Sequence, residues 1–165
     1  MKKMKKIIFI ALIVISSTAF GQKVSFKELL EKSKCKSYDC FDDFITTKGF
    51  SLNSIDEGIY YYNSAKEFSS NTEVVCANIC GIGFGENGCQ SVLMQTVDKA
   101  YYNQLLNEIK SYGFVFSNTI KDENGVNMYY KLNSNHNIKV DIVMYSSETK
   151  GIKSINYQIL IDKCR

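Results

Sequence analysis

The sequence contains no proline and no tryptophan, and among its 165 residues there is one histidine and one arginine, Arg165. A single imidazole cannot supply the paired histidines of most catalytic zinc sites. The formal charge of +3 comes from four lysines in the first 21 residues, which contain no acidic residue, so the remaining chain carries a charge of −1. Nucleic-acid binding requires a clustered basic face that releases counterions, and we therefore expect no nucleic-acid partner.

The first 21 residues have the pattern of a secretory signal. Four lysines precede the apolar run Ile7–Ile15, and small residues follow, with Ala19 and Gly21 at the cleavage site. This order of charged, apolar and small residues is typical of a signal peptide. The apolar run is shorter than the ~20 residues of a membrane-spanning helix. We expect cleavage after Gly21, which gives a periplasmic or secreted bacterial protein that begins at Gln22 and has no transmembrane segment.

The sequence has an even number of cysteines, and all of them follow the signal segment. They are Cys35, Cys40, Cys76, Cys80, Cys89 and Cys164. An exported chain matures in an oxidising compartment, so three disulfides are expected. Six cysteines allow 15 pairings, among which the sequence does not choose. Our working pairing is Cys35–Cys40, Cys80–Cys89 and Cys76–Cys164.

Two other uses of the cysteines are open, a metal site and a catalytic thiol. A zinc site built on Cys76, Cys80 and Cys89 lacks the second closely spaced ligand pair of structural zinc sites. A catalytic thiol needs an unpaired cysteine beside a base. The available imidazole, His136, is predicted to lie in the polar turn 133–137 and to be exposed to solvent. We therefore expect no metal and no catalytic residue among these groups.

The first half of the chain is predicted to form two helices and four strands. Ser25 and Glu28 form a capping box that starts a helix at about Phe26. A second helix carries residues 41–45 and ends before Gly49. Strands follow over residues 50–52 and 58–63, then over residues 75–80 and 92–95, because apolar and other residues alternate there.

The second half is predicted to form one helix and four strands. Asp98 caps a helix in which Tyr101, Leu105 and Ile109 recur on one face, and Gly113 follows its end. Asn124 and Gly125 mark a tight hairpin between two strands. Two further strands, over residues 138–144 and 155–161, alternate apolar and polar residues, which predicts an antiparallel sheet with one exposed face.

The two halves resemble each other at a constant offset of 64 residues, which predicts a diverged tandem repeat. The matched positions are Phe41, Ile45, Gly49, Phe50 and Leu52 against Leu105, Ile109, Gly113, Phe114 and Phe116. The predicted fold is α+β, with two tandem helix-plus-four-stranded units (ααββββ-αββββ), residues 22–97 and 98–165, sharing one core, or one continuous sheet with the helices on one face. This plan is similar to that of the secreted β-lactamase inhibitory proteins, a resemblance that concerns topology.

The motifs that suggest chemistry lack their usual surroundings. Gly83, Gly85 and Gly88 match a GxGxxG pattern, but a strand follows the loop, whereas a dinucleotide site requires a helix. We interpret this segment as a hairpin loop with Asn87 and Gly88 at the turn, and we expect no cofactor. Asp42 and Asp43 are neighbours on a helix, so they point about 100° apart and are assigned to a solvated face.

The tyrosines indicate a binding role. Tyr60–Tyr62 and Tyr129–Tyr130 place rings on both faces of a sheet, and tyrosine is favoured at interfaces. A phenylalanine between glycines at a hairpin tip has no partner among its immediate neighbours. The candidate partner-binding residues are Phe84, Glu86, Tyr61 and Tyr129.

We expect an exported, non-enzymatic binding or inhibitor module for an envelope or extracellular protein, peptide or glycan. The alternatives are a structural or assembly component of the cell envelope and a hydrolase that uses carboxylates.

Overall fold

A computed structural model describes six stretches of the chain. They are residues 23–64, 78–85, 89–123, 125–132, 135–149 and 152–164. Several predictions fall outside these residues and concern the signal segment, one cysteine, one candidate binding residue and two turns. They are the predictions for residues 1–21, Cys76, Glu86, Asn87 with Gly88, and Asn124.

Within the described part, three helices and eight strands form in the order ααββββαββββ. The helices are α1 (Phe26–Lys32), α2 (Tyr38–Thr47) and α3 (Lys99–Ser111). The strands are β1 (Ser51–Asp56), β2 (Ile59–Asn63), β3 (Asn78–Phe84), β4 (Gln90–Thr96), β5 (Phe114–Asp122), β6 (Gly125–Leu132), β7 (Asn135–Thr149) and β8 (Ile152–Lys163).

The helix ends follow the sequence signals. The Ser25 hydroxyl accepts from the Glu28 backbone N–H at 3.3 Å, and the Glu28 carboxylate accepts from the Ser25 backbone N–H at 2.9 Å. The Asp98 carboxylate accepts from two backbone N–H groups of the first turn of α3. Gly49 and Gly113 each adopt φ +83° just after a helix, a conformation that only glycine reaches without strain. The predicted capping box and both terminating glycines are therefore confirmed.

The eight strands form one antiparallel sheet in the order β1-β2-β3-β4-β8-β7-β6-β5. Strands β1–β4 and β5–β8 are each a meander, and the two meanders join where β4 pairs with β8, from Gln90↔Lys163 to Thr96↔Tyr157. The two edge strands, β1 and β5, carry a register shift, at Leu52/Ser54 and at Phe116/Asn118. The outcome is a continuous sheet whose edges are both bulged, which discourages uncontrolled pairing with other chains.

The core lies between the helices and one face of the sheet. Phe41 of α2 packs on Tyr62, with ring centroids 5.7 Å apart, and Tyr102 of α3 stacks on Tyr157 at 4.4 Å. The Tyr62 hydroxyl donates to Asp42 Oδ1 at 2.8 Å. Asp42, which the sequence assigned to a solvated face, therefore accepts a hydrogen bond from the sheet. The innermost sheet residues all have the same facing: Tyr62, Cys80, Ile82, Val92, Met94, Val140, Ile142, Ile159 and Ile161.

Two predicted loop positions are strands in the structure. Phe84 is the last residue of β3 and pairs with Gln90, so its placement at a hairpin tip was wrong. Glycine weakens a strand, but Gly81 and Gly83 pair with both neighbouring strands here, and the buried Ile82 between them supplies the apolar contact. His136 belongs to β7, which begins at Asn135, and not to a polar turn.

The disulfides agree with one of the three predicted pairs. Cys35 is bonded to Cys40 as expected, whereas Cys89 is bonded to Cys164, so the pairs Cys80–Cys89 and Cys76–Cys164 were wrong. Cys80 is a free thiol buried in the core, and burial raises its pKa. The reason is the sheet order: β4 and β8 are antiparallel neighbours, so the residue before β4 faces the residue after β8.

We expect the Cys89–Cys164 bridge to stabilise the fold more than the Cys35–Cys40 bridge does. The two bridges join cysteines 75 and 5 residues apart. On the chain-entropy estimate, Cys89→Ser/Cys164→Ser should lower the free energy of unfolding by about 4.5 kcal/mol and Cys35→Ser/Cys40→Ser by about 2 kcal/mol. Urea unfolding of both double variants measures the difference, and peptide mapping of the native protein identifies the bridges. Equal losses, or mapped Cys80–Cys89 peptides, would contradict this arrangement.

Candidate binding face

One face of the sheet is left free by the three helices of the described part. Side chains alternate along each strand, so the residues between the buried core positions point away from the helices. We call this surface the helix-free face. It consists of the strand residues that alternate with core residues along each strand. Examples are Tyr61, next to the core residue Tyr62, and Leu93, next to the core residue Met94.

A single row of paired residues crosses the helix-free face from one edge of the sheet to the other. It consists of Ser54, Tyr61, Gly81, Leu93, Leu160, Asp141, Tyr129 and Asn118. The row brings together two candidate residues from distant parts of the sequence, Tyr61 and Tyr129. Each lies one strand in from an edge, and at the usual strand spacing they are about 24 Å apart. Both rings are partly exposed.

The middle of this row is apolar. Leu93 and Leu160 face each other across the β4–β8 pairing, and Leu93 is 9% exposed. Strand β3 contributes no side chain at Gly81 and Gly83. Ile59 of β2 covers both glycines, since its Cγ1 lies 3.1 Å from the position that a Gly83 Cβ would occupy. The middle of the row therefore presents aliphatic side chains, with Ile59 lying over the two glycines.

The β6–β7 side of the face is polar and charged. Around Tyr129, a depression of about 360 Å³ is lined by Asn118, Ile120, Lys131, Lys139 and Asp141. The Oδ1 atoms of Asn63 and Asn127, which lie in the next row of this face, are buried and have no hydrogen-bond partner within the described part. Lys131, Lys139 and Asp141 offer a partner charged contacts beside the apolar middle, whereas the two buried asparagine oxygens are not accessible to it.

Two carboxylates of the face differ in their surroundings. Asp162 accepts from the Ser91 hydroxyl at 2.5 Å. Burial raises the pKa of Asp141, the negative charge of Asp162 raises it further, and Lys139 opposes the shift. Asp141 and Asp162 are diagonal neighbours on β7 and β8. Such an arrangement can donate and accept protons, but it can equally recognise a hydrogen-bond donor of a partner.

The structure separates Phe84 from the two tyrosines. Phe84 has the same facing as Cys80 and Ile82, so it lies on the helix side at one end of the sheet, where it is 37% exposed. Leu93, Leu160 and Asp141 were not among the residues predicted from the sequence. Alternation could assign their facing, but no signal in the sequence showed that β4 and β8 pair and so bring these residues into one row.

Two further observations limit the chemistry of the described part. It contains no group of three or more histidine, cysteine, aspartate or glutamate side chains arranged to hold a metal ion. None of its helices has the length and apolar character needed to cross a membrane.

Comparison with known proteins finds no matching family model, no matching curated protein and no matching solved structure. The topological resemblance to the β-lactamase inhibitory proteins therefore gains no support from these comparisons.

We expect Asp141→Asn to make the protein more stable at neutral pH and to leave it unchanged in acid. Because the pKa of Asp141 is raised in the folded state, the folded protein binds its proton more tightly than the unfolded chain does. Wild-type stability therefore falls as the pH rises from the unfolded pKa, about 3.9, through the raised folded pKa. Urea unfolding at about pH 3 and pH 7 measures the gap. The exposed Asp56→Asn is the control, and a gap of equal size at both pH values would contradict the assignment.

Proposed function

We propose that this chain is an exported, disulfide-stabilised and non-enzymatic binding module, and that its helix-free face contacts the partner. The observation that carries the proposal is the row that crosses all eight strands, with Tyr61 and Tyr129 near its ends and Leu93 and Leu160 at its centre. Tyrosine at a surface offers a large apolar ring with a polar tip, and such rings carry much of the binding energy of protein interfaces.

The proposal includes the tandem origin of the two halves. The bulges in β1 and β5 are 64 residues apart, as are the two glycines with φ +83°, Gly49 and Gly113. In each half the residue before the bulge pairs with a buried tyrosine, Tyr62 or Tyr130. Tyr61 and Tyr129 precede these tyrosines, so they occupy equivalent positions. A duplicated unit would thus have placed one recognition ring in each half of the face.

Export is supported by the signal-like segment and by the disulfides. Such bridges require an oxidising compartment to persist. On this proposal the protein is periplasmic or secreted and begins at Gln22. Mass spectrometry of the native protein checks the terminus, and an intact Met1 would contradict export.

The partner is proposed to be a protein, because the row across the helix-free face is longer than a small ligand. A standard protein interface buries about 800 Å² on each partner, which a sheet of eight strands can provide. The rigid pairing of the strands means that few side chains must be ordered on binding, and this lowers the entropic cost of association.

We expect Tyr61→Ala and Tyr129→Ala each to weaken partner binding by about thirtyfold, the effect of losing an interface hot spot. The mature protein, immobilised, is exposed to envelope extract and medium from the source cells, and retained proteins are identified by mass spectrometry. Ile155→Ala is the matched control, since Ile155 is 57% exposed but faces the helix side. Binding that the control keeps and both tyrosine variants lose supports the proposal.

Three other outcomes would overturn it. Retention that neither tyrosine variant changes would move the contact away from the helix-free face. Fractionation of the native protein with membranes in a permanent assembly would favour a structural component of the envelope. If the protein cleaves a retained partner and Asp141→Asn abolishes this cleavage, a hydrolase that uses the Asp141 and Asp162 carboxylates would be favoured.

A further inference from the structure

Three lysines meet at a second surface, on the helix side at the end of the sheet. Lys34, Lys36 and Lys163 line one depression of about 260 Å³. The other lining residues are Phe84, Gly85, Cys89, Gln90 and Cys164. None of the lining residues within the described part is acidic. We call this surface the lysine depression.

The two disulfides hold the backbone that carries these lysines. Lys34 and Lys36 flank Cys35, which is 3% exposed and bonded to Cys40. Lys163 precedes Cys164, which is bonded to Cys89. On the opposite wall, Gly85 N–H donates to the Cys89 carbonyl at 2.8 Å and closes the end of β3 onto β4. The lysines and Phe84 therefore project from fixed backbone rather than from flexible segments.

These ammonium groups have no ionic partner within the described part, although other lysines do. Lys48 pairs with Glu28 at 2.6 Å, Lys23 with Asp98 at 3.5 Å, and Lys153 with Glu148 at 3.8 Å. Positive charges that share one concave surface repel one another, and a bound anion relieves that repulsion. The chain beyond the first 21 residues carries a net charge of −1, so a cluster of three unpaired cations is a local property of this surface.

We propose that the lysine depression binds an acidic saccharide, a sugar ring that carries a phosphate or carboxylate. The three ammonium groups supply point charges for the anion. The exposed ring of Phe84 offers an apolar surface for the C–H face of the sugar, and the Gln90 amide can both donate to and accept from hydroxyl groups. The volume is that of a small pocket, which suits one sugar unit with its acidic group.

Glucose 1-phosphate is the probe, and glucose and inorganic phosphate are its two halves. We expect saturable amide shifts in ¹⁵N-labelled mature protein at Lys36, Gly85 and Gln90, with a dissociation constant on the order of 1 mM. Lys36→Gln and Lys163→Gln should each weaken binding about fivefold, and added salt should weaken it too. The exposed helix residue Lys110 provides the control, Lys110→Gln, which should bind as wild type does. Phe84→Leu should reduce the preference for the sugar phosphate over inorganic phosphate.

The proposal fails if no saturable shift occurs at these amides up to about 10 mM probe. It also fails if Lys110→Gln weakens binding as much as Lys163→Gln, since the effect would then be one of net charge. Equal affinity for inorganic phosphate and glucose 1-phosphate would show that neither the sugar ring nor Phe84 contributes to binding. Thermal unfolding of each variant shows that it is folded. Tyr61→Ala and Tyr129→Ala should bind the probe normally, so this site and the helix-free face are tested separately.

Discussion

The pairing of β4 with β8 is the interaction on which the rest of the structure depends. Seven residue pairs, from Gln90↔Lys163 to Thr96↔Tyr157, join the two meanders into one sheet. On the helix side this pairing places Val92 and Met94 next to Ile161 and Ile159, all of them buried. On the other side it brings Leu93 opposite Leu160 and completes the row between the two tyrosines. Both the core and the proposed binding face therefore depend on the β4–β8 pairing.

Contacts made by the helices stabilise this pairing on the helix side of the sheet. The Tyr101 hydroxyl of α3 accepts from the backbone N–H of Val24 at 2.8 Å and donates to its carbonyl at 2.6 Å, and the Phe26 N–H donates to the Glu108 carboxylate at 2.7 Å. The start of α1 is thus fixed to α3 across the seam, with Phe26 packed on Phe114 of β5. Burial raises the pKa of Tyr101, so this hydroxyl stays protonated and keeps its donor. Chain segments from the start and from the middle of the described region therefore meet over one core.

Local features could be predicted from the sequence because their causes are local. A capping box, a glycine after a helix and alternating apolar residues depend on neighbours a few positions away, and the structure confirms them at Ser25, Gly49 and Gly113. The partner of β4 could not be predicted, because nothing within β4 distinguishes β8 from β5 as its neighbour. Because the pairing of β4 with β8 was not predicted, Cys89 was assigned to the wrong cysteine, and Leu160 and Asp141 were not placed in one row with the tyrosines. Phe84 was misplaced because glycines on either side suggested a turn, whereas Ile59 covers Gly83 and keeps the strand regular.

The candidate surfaces were predictable to different degrees. Tyr61 and Tyr129 were identified because aromatic runs in strands place rings on both faces, but their common row required the strand order. The lysine depression had no sequence signal, since Lys34, Lys36 and Lys163 are far apart in the chain and are brought together by the end of the sheet and the two disulfides. Its arrangement also depends on the β4–β8 pairing, because Cys89 and Cys164 close that pairing at one end.

Native-state hydrogen exchange tests whether the β4–β8 pairing makes one cooperative sheet. We expect the amides of β4 and β8 to exchange only through global unfolding, with the same opening free energy in both strands, while those of the edge strands β1 and β5 exchange earlier. Exchange of β4 and β8 by local opening, at a lower free energy than the interior amides of either meander, would contradict it. The two halves would then be separate units, and the row across the helix-free face would not be a fixed surface.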